Sequence, residues 1–405
     1  MISTPPGPSP DPQRGEPPVH RLASGRLTFR REEAAVSDSL DVLIDDQIFL
    51  MHARGGISRY FAELLREFRD HPQLGVNAFT TVRWSPNQHL RAVDPTVRDL
   101  PFSELSFGWK AAKRLSAYPA AGRERRARPD VVHSTYYNPS RLAEFPGIPK
   151  VVTVHDMAPE LMPELFGDDP HLAKRQFVDQ ADAIICVSAS TRDDLFEVWG
   201  EIDDRPVVVT PHATSKVFNP SAEAFQPGYR YVLYVGSRDP YKNFGILLTA
   251  FAGSAAQGAG VRIVAVGGGP LSADELALAD ALGLADDLVQ VTASEDDLPG
   301  FYTGAVAFVF PSLMEGFGIP VLEAMSCGTP CILADTRVFR EVADDAAAFY
   351  PARDPWALRA ALDDLFTHPA RRAELSSRGT ERAASYSWER TAELTAEVYR
   401  QVVGG

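Results

Sequence analysis

The chain has 405 residues, 45% hydrophobic and 23% charged, the composition of a soluble globular protein with length for two to three domains. Lys and Arg number 40 against 54 Asp and Glu, and the net charge of −14 argues against general nucleic-acid binding, which needs a basic footprint. No run approaches the ~20 apolar residues of a membrane-spanning helix, the first residues lack the apolar core of a secretory signal, and the odd set Cys186, Cys327 and Cys331 fits a reducing cytoplasm.

Residues 1–40 carry seven prolines between Pro5 and Pro18 and no apolar periodicity, which predicts a disordered extension. Order is expected from Asp41, where DVLIDDQIFL (41–50) reads as a strand-like run. A Gly55-Gly56 loop follows, and then Ile57, Tyr60, Phe61, Leu64, Leu65 and Phe68 recur at helical spacing. Further β-rich runs occupy 76–82, 130–135, 151–156, 183–188 and 206–211, mostly separated by helical stretches. A break at 219–228 precedes a second series: strands at 231–236, 261–269, 288–293, 305–312 and 331–335, with a helix at 243–255 and a terminal helix at 387–403. Strands alternating with helices predict parallel sheets covered on both faces. The reading is therefore an α/β chain of two tandem Rossmann-like domains, 41–212 and 213–386, with 387–405 returning to the first.

In open parallel sheets ligands bind beyond the C-terminal strand ends. The richest such loop is PSLMEGFGIPVLEAMSCGTPC (311–331). Gly316 and Gly318 allow close backbone approach, Pro320 suits a helix start, and Gly328 suits its stop. The free N–H groups of that helix favour an anion. Glu315 in the loop and Glu323 in the first helical turn can reach one ligand lying across the helix start. Plain turn chemistry for the glycines and dipole complementarity for Glu323 are the competing readings. Arg238 and Lys242, four apart after a strand, are two cations able to stabilise a leaving diphosphate.

The segment PSLxEGFGxPxLEAMxCGTP, with glutamates eight positions apart, resembles the retaining glycosyltransferases of family 4, which have the two-domain GT-B fold and transfer a sugar from a nucleoside diphosphate sugar. YVLYVGSRDPYKN (231–243), VAVGGGP (264–270), LPGFYTGA (298–305) and SWE (387–389) carry the resemblance across the second half. GGISRYF (55–61), HDMAPE (155–160) and VSASTRDDL (187–195) carry it, less specifically, into the first. The resemblance implies that Glu323 accepts from ribose hydroxyls and that Glu315 contacts the sugar ring. The backbone of Phe317, Gly318 and Ile319 lies against sugar and phosphate. The resemblance further implies that His155, otherwise a structural histidine, meets the transferred sugar from the first domain, and that Gly55-Gly56, otherwise an ordinary βα turn, closes over the diphosphate. Gly316, Gly267 and Leu298 complete the donor-side set, and the loop Glu295–Leu298 is a candidate for the base. Asp156 either orients His155 or caps the next segment. His133, Tyr136 and Tyr137 are candidates to border the acceptor or, equally, half-buried packing residues.

No clear nucleophile stands in these motifs, so the resemblance implies same-face attack with the leaving phosphate taking the acceptor's proton. Glu315 and Glu323 are read as binding groups, not as the carboxylate pair of a glycoside hydrolase. The chain has no D-x-D triplet, which favours a metal-free reaction with no cofactor. Pro211-His212-Ala213 departs from the family's usual P-N-G at the linker. The stretch 109–128 holds seven Lys or Arg and one Glu, and is either a solvated helix face or a docking site for anionic membrane at the cytoplasmic side. The reading is thus a metal-independent retaining hexosyltransferase of bacterial polysaccharide type, with GDP-mannose as the lead donor and a saccharide, lipid-linked or small-molecule hydroxyl as acceptor. Its rivals are a GT-B-fold phosphorylase or nucleotide-sugar epimerase, a dinucleotide oxidoreductase, and a non-catalytic sugar-nucleotide-binding protein.

Overall fold

The computed structural model describes residues 39–99, 128–166, 173–200 and 202–404. The expected disorder of the first residues and the basic stretch 109–127 lie outside the described residues.

Among the described residues two six-stranded parallel sheets follow one another along the chain. The first contains β1 (Leu40–Ile44), β2 (Val76–Phe79), β3 (Val131–Ser134), β4 (Lys150–Val154), β5 (Ala183–Cys186) and β6 (Val207–Val209), in the order β2-β1-β3-β4-β5-β6. The second contains β7 (Tyr231–Val235), β8 (Arg262–Val266), β9 (Leu288–Val291), β10 (Ala307–Phe310), β11 (Cys331–Ala334) and β12 (Ala348–Tyr350), in the order β12-β11-β10-β7-β8-β9. Read from β9, that is the 3-2-1-4-5-6 order of a Rossmann sheet, with its switch point between β7 and β10. The central strands are buried along their length, as apolar runs such as Tyr231–Val235 require when both faces are covered.

Each sheet has its own core. Val42, Ile44, Tyr60, Phe61, Leu64, Val151 and Ile184 belong to the first, and Leu233, Leu248, Ile263, Phe308, Leu322 and Ile332 to the second. The helix Gly56–Asp70 shows how the sequence achieves this. Tyr60, Phe61, Leu64, Leu65 and Phe68 form its buried stripe, each contributing roughly 2 kcal/mol when fully buried. The last helix, Trp388–Gly404, crosses back and places Trp388, Ala392, Ala396, Val398 and Tyr399 in the first core.

Three local readings change. The run 41–50 is not one strand: β1 stops at Ile44 and Gln47–Met51 is helical. The Asp45 carboxylate accepts the Gln47 N–H at 3.2 Å and its amide at 2.6 Å, turning the chain out of the sheet. The helix expected over 243–255 breaks at Gly253, where φ is +72°, and a short helix restarts at Ala255 under the Ser254 cap. Strand β12 has three residues and carries too little pattern to be read in advance.

Candidate functional site

The C-terminal ends of the strands in both sheets open onto one cleft of about 720 Å³. From the second half come Gly236 after β7, Gly267 and Gly268 after β8, Glu295 and Leu298 after β9, and Glu315–Ile319 with Glu323 after β10. From the first half come Gly55, Gly56 and Arg59 at the start of the Gly56–Asp70 helix, His89, His155 and Asp156 after β4, and His212 after β6. The structure therefore brings Gly55, Gly56, His155, Asp156, Gly267, Leu298, Glu315, Gly316, Phe317, Gly318, Ile319 and Glu323 together.

The loop after β10 is fixed from both sides. The Leu313 N–H donates to the Tyr241 carbonyl at 2.8 Å, tying the loop to the turn that carries Lys242. Lys242 Nζ then reaches Glu315 Oε1 at 2.6 Å, with each side chain about 15% exposed. Burial, the largest single influence, works against the charged amine, but the Glu315 carboxylate together with Tyr241 and Asp156 outweighs it and holds the Lys242 pKa above the ordinary lysine value. On the other side the Gly316 carbonyl accepts from Ser188 Oγ at 2.6 Å and Thr191 Oγ1 at 2.9 Å, both from the first half. Gly316 has no room for a side chain: a Cβ there would lie 1.6 Å from the His155 carbonyl oxygen. That glycine is a close approach of two backbones across the cleft.

The helix after this loop starts at Ile319, with Pro320 second, so Glu323 stands one turn in rather than in the first turn. Glu323 is 4% exposed. Oε1 accepts from Arg59 Nη1 at 2.7 Å and Oε2 from the Tyr302 hydroxyl at 3.0 Å. Arg59 belongs to the other half of the molecule. A third contact across the halves joins Glu341 to the helix Ala189–Trp199. The Ala189 N–H, Ser190 N–H and Ser190 Oγ donate to this carboxylate at 2.7, 2.8 and 2.6 Å, placing an acid at a helix N-terminus.

His155 is 8% exposed and stacks on His212, with ring centroids 6.0 Å apart and planes 15° from parallel. Phe317 meets His212 edge-on at 5.2 Å. Burial drives the His212 pKa down to about 3, so a neutral ring faces this environment at pH 7. The Asp156 carboxylate accepts the Ala158 N–H at 3.0 Å, at the start of the Ala158–Leu161 helix.

Five expected site residues do not line the cleft: Lys242 touches it only through its pair with Glu315, and the other four fall elsewhere. Arg238 does not line the cleft. Its Nε pairs with Glu275 at 2.7 Å, and its Nη groups donate to the carbonyls of Gly267, Gly269 and Pro270 at 2.7 to 2.8 Å. It braces the glycine loop, where Gly268 has φ +69° and a Cβ would lie 2.6 Å from the guanidinium. His133, Tyr136 and Tyr137 sit in the first core, not at an acceptor border. His133 uses both ring nitrogens internally, on the Tyr399 hydroxyl at 2.7 Å and Thr153 Oγ1 at 2.8 Å, and burial lowers its pKa to about 3. The Tyr137 hydroxyl donates to the Thr153 carbonyl at 2.8 Å.

Sequence reasoning passed over Arg59, His89 and His212 as site residues. Arg59 had a usable signal: a cation one turn into an apolar helix that opens on Gly55-Gly56. His89 had none, because it comes from a short helix with no motif, although it meets Glu295 across the cleft at 3.3 Å. Among the described residues no cluster of His, Cys, Asp or Glu is arranged to hold a metal ion, and no helix is long and apolar enough to cross a membrane.

This arrangement has counterparts in known proteins. Residues 54–218 match the family model described as Glycosyltransferase Family 4, and residues 216–382 the one described as Glycosyl transferases group 1. The D-inositol 3-phosphate glycosyltransferase of Thermobispora bispora is 31% identical over 306 residues, 68% of this chain and 71% of that protein. The O-antigen chain mannosyltransferase B of Escherichia coli is 28% identical over 296 residues, 65% and 72% of the two chains. Among solved structures, sucrose-phosphate synthase from Thermosynechococcus elongatus superposes with a TM-score of 0.70 at 21% identity, covering 90% of this chain and 99% of that one, which establishes a shared GT-B fold. Two parallel sheets facing one cleft, with paired family models spanning both, make this chain a member of the group 1 glycosyltransferases, family 4.

Proposed function

We propose that this glycosyltransferase moves a hexose from a nucleoside diphosphate sugar to a hydroxyl of a saccharide, lipid-linked or small-molecule acceptor, with retention at the anomeric carbon and without a metal ion. The observation that carries this reading is the Lys242–Glu315 pair beside the N-terminus of the Ile319–Ser326 helix. As the bond from the anomeric carbon to the diphosphate breaks, negative charge grows on the phosphate oxygens. A fixed ammonium and the positive end of the helix dipole stabilise that charge. The acceptor oxygen bonds to the anomeric carbon on the face the diphosphate leaves, and the departing phosphate takes the acceptor's proton. Glu315 and His155 hold the sugar from opposite halves, and Glu323 holds the ribose. Arg238 acts indirectly, by holding the carbonyls of the Gly267–Pro270 loop. The lead donor is GDP-mannose, supported by the similarity to the O-antigen mannosyltransferase. The site of action is the cytoplasm, at the membrane face when the acceptor is lipid-linked.

The test is calorimetric titration of GDP, UDP, dTDP and ADP into wild type and Lys242→Ala, with and without EDTA, followed by transfer assays with the matching sugar nucleotide. One nucleotide binding selectively in EDTA, weakened in Lys242→Ala, with an axial or equatorial product configuration matching the donor by NMR, is the expected result. Absence of binding by all four, or an inverted product, contradicts the proposal.

A further inference from the structure

Glu323 and Arg59 stand 264 residues apart in sequence and on opposite sides of the cleft, yet they form a short ion pair at 2.7 Å with side chains only 5% and 12% exposed. A carboxylate this deeply buried is costly without a cationic partner. The second half supplies no cation to it among the described contacts; Tyr302 offers only a neutral hydroxyl, to the other oxygen. The charge partner comes from the first half. The helix that carries Arg59 also presents Gly55 and Gly56 to the cleft, and a Cβ on Gly56 would touch Ile319 at 3.7 Å, so this helix start abuts the start of the Glu323 helix.

A carboxylate offers about four lone-pair positions. Arg59 takes one on Oε1 and Tyr302 one on Oε2, which fixes the rotamer and leaves one acceptor position on each oxygen for a vicinal diol. Resting on the donor-site reading above, we propose that Arg59 is a positioning residue that sets Glu323 for the ribose, so that recognition of the nucleoside by the second half requires the first half to be closed against it. Arg59 is thereby the link through which domain closure and donor recognition depend on each other.

The test pairs a protein change with a ligand change. Affinities of GDP and 2′,3′-dideoxy-GDP, and of UDP and 2′,3′-dideoxy-UDP, are measured by calorimetry for wild type, Arg59→Ala and Arg59→Lys, each checked for folding by thermal unfolding without ligand. The expected result is that Arg59→Ala weakens the ribonucleotide about tenfold, the scale of a charge-assisted hydrogen bond, and weakens the dideoxy form little, so that the preference for ribose collapses. Arg59→Lys retains part of that preference. Equal weakening of both forms marks a merely structural arginine and overturns the inference. Tighter ribonucleotide binding by Arg59→Ala also overturns it, because Arg59 then competes with the ribose. Should wild type bind neither ribonucleotide, the donor-site reading itself fails. Wild-type binding with an unchanged ribose preference in both variants refutes the role of Arg59 alone.

Discussion

Lys242 and Glu315 meet at 2.6 Å although they leave different strands, Lys242 after β7 and Glu315 after β10. These two strands flank the switch point of the second sheet, where the chain reverses its direction of travel and the loops part to leave a crevice. Lys242→Ala removes a fixed charge from the place where the leaving diphosphate is expected. Transfer is predicted to fall about 10²- to 10³-fold in kcat, the cost typical of losing one preorganised group. The donor KM is expected to rise less, and steady-state kinetics on Lys242→Ala and Glu315→Gln together measure whether the pair acts as a unit.

Gly316→Ala tests the closeness of the two halves. A methyl group 1.6 Å from the His155 carbonyl oxygen cannot be accommodated without moving one backbone away from the other. Urea unfolding is expected to show a loss of about 1–3 kcal/mol, as for other overpacked sites. Small-angle scattering is expected to show a larger radius of gyration than wild type, and transfer activity to be lost.

Glu341→Ala addresses a contact remote from the chemistry. It strips the acceptor from two backbone N–H groups and the Ser190 hydroxyl at the start of the Ala189–Trp199 helix. The expected loss is about 1–3 kcal/mol on unfolding, from unsatisfied donors and a lost N-terminal charge. Glu341→Gln, which keeps an acceptor oxygen, is expected to recover part of it in the same measurement.

The buried histidines predict an acid limb. Burial lowers the pKa of His133 and of His212 to about 3. The unfolded chain protonates them near an ordinary pKa of about 6.5, so between those values it binds more protons than the folded chain. Their contribution to stability is full above that unfolded value and is lost as the pH falls through the window. Each contributes a slope of up to about 1.4 kcal/mol per pH unit. Urea midpoints for wild type and His133→Gln at pH 7.5 and 5 check the sign: the fall on acidification is expected to be smaller in the variant.

The alternation of apolar runs and helical stretches was enough to place most of the strands, because buried parallel strands read as uninterrupted hydrophobic segments wherever they occur. The glycine loop 315–318 and its two glutamates were equally legible, since a turn, a helix start and paired acids crowd into one short segment. What the sequence hid was pairing over distance. Arg238 resembles a free cation until the carbonyls of Gly267, Gly269 and Pro270 are seen around it. Tyr136 and Tyr137 follow a strand end, as site residues do, and His133 lies inside β3, where Thr153 and the last helix's Tyr399 enclose it. Arg59 carried a signal in its place at the helix start, but its partner Glu323, in the other half, could not be read from the sequence.

The final helix has a consequence for how the protein is made. Tyr399 and Ala396 belong to the same core as Val42 and Phe61, and the Tyr399 hydroxyl holds His133 at the middle of the first sheet. A chain emerging from the ribosome presents the first half long before the residues that finish it. The second half's core draws on its own residues apart from Val187, which is made earlier, and has no such wait. Folding order is therefore expected to invert synthesis order: the domain translated second settles first, and the domain translated first stays open until its last wall arrives.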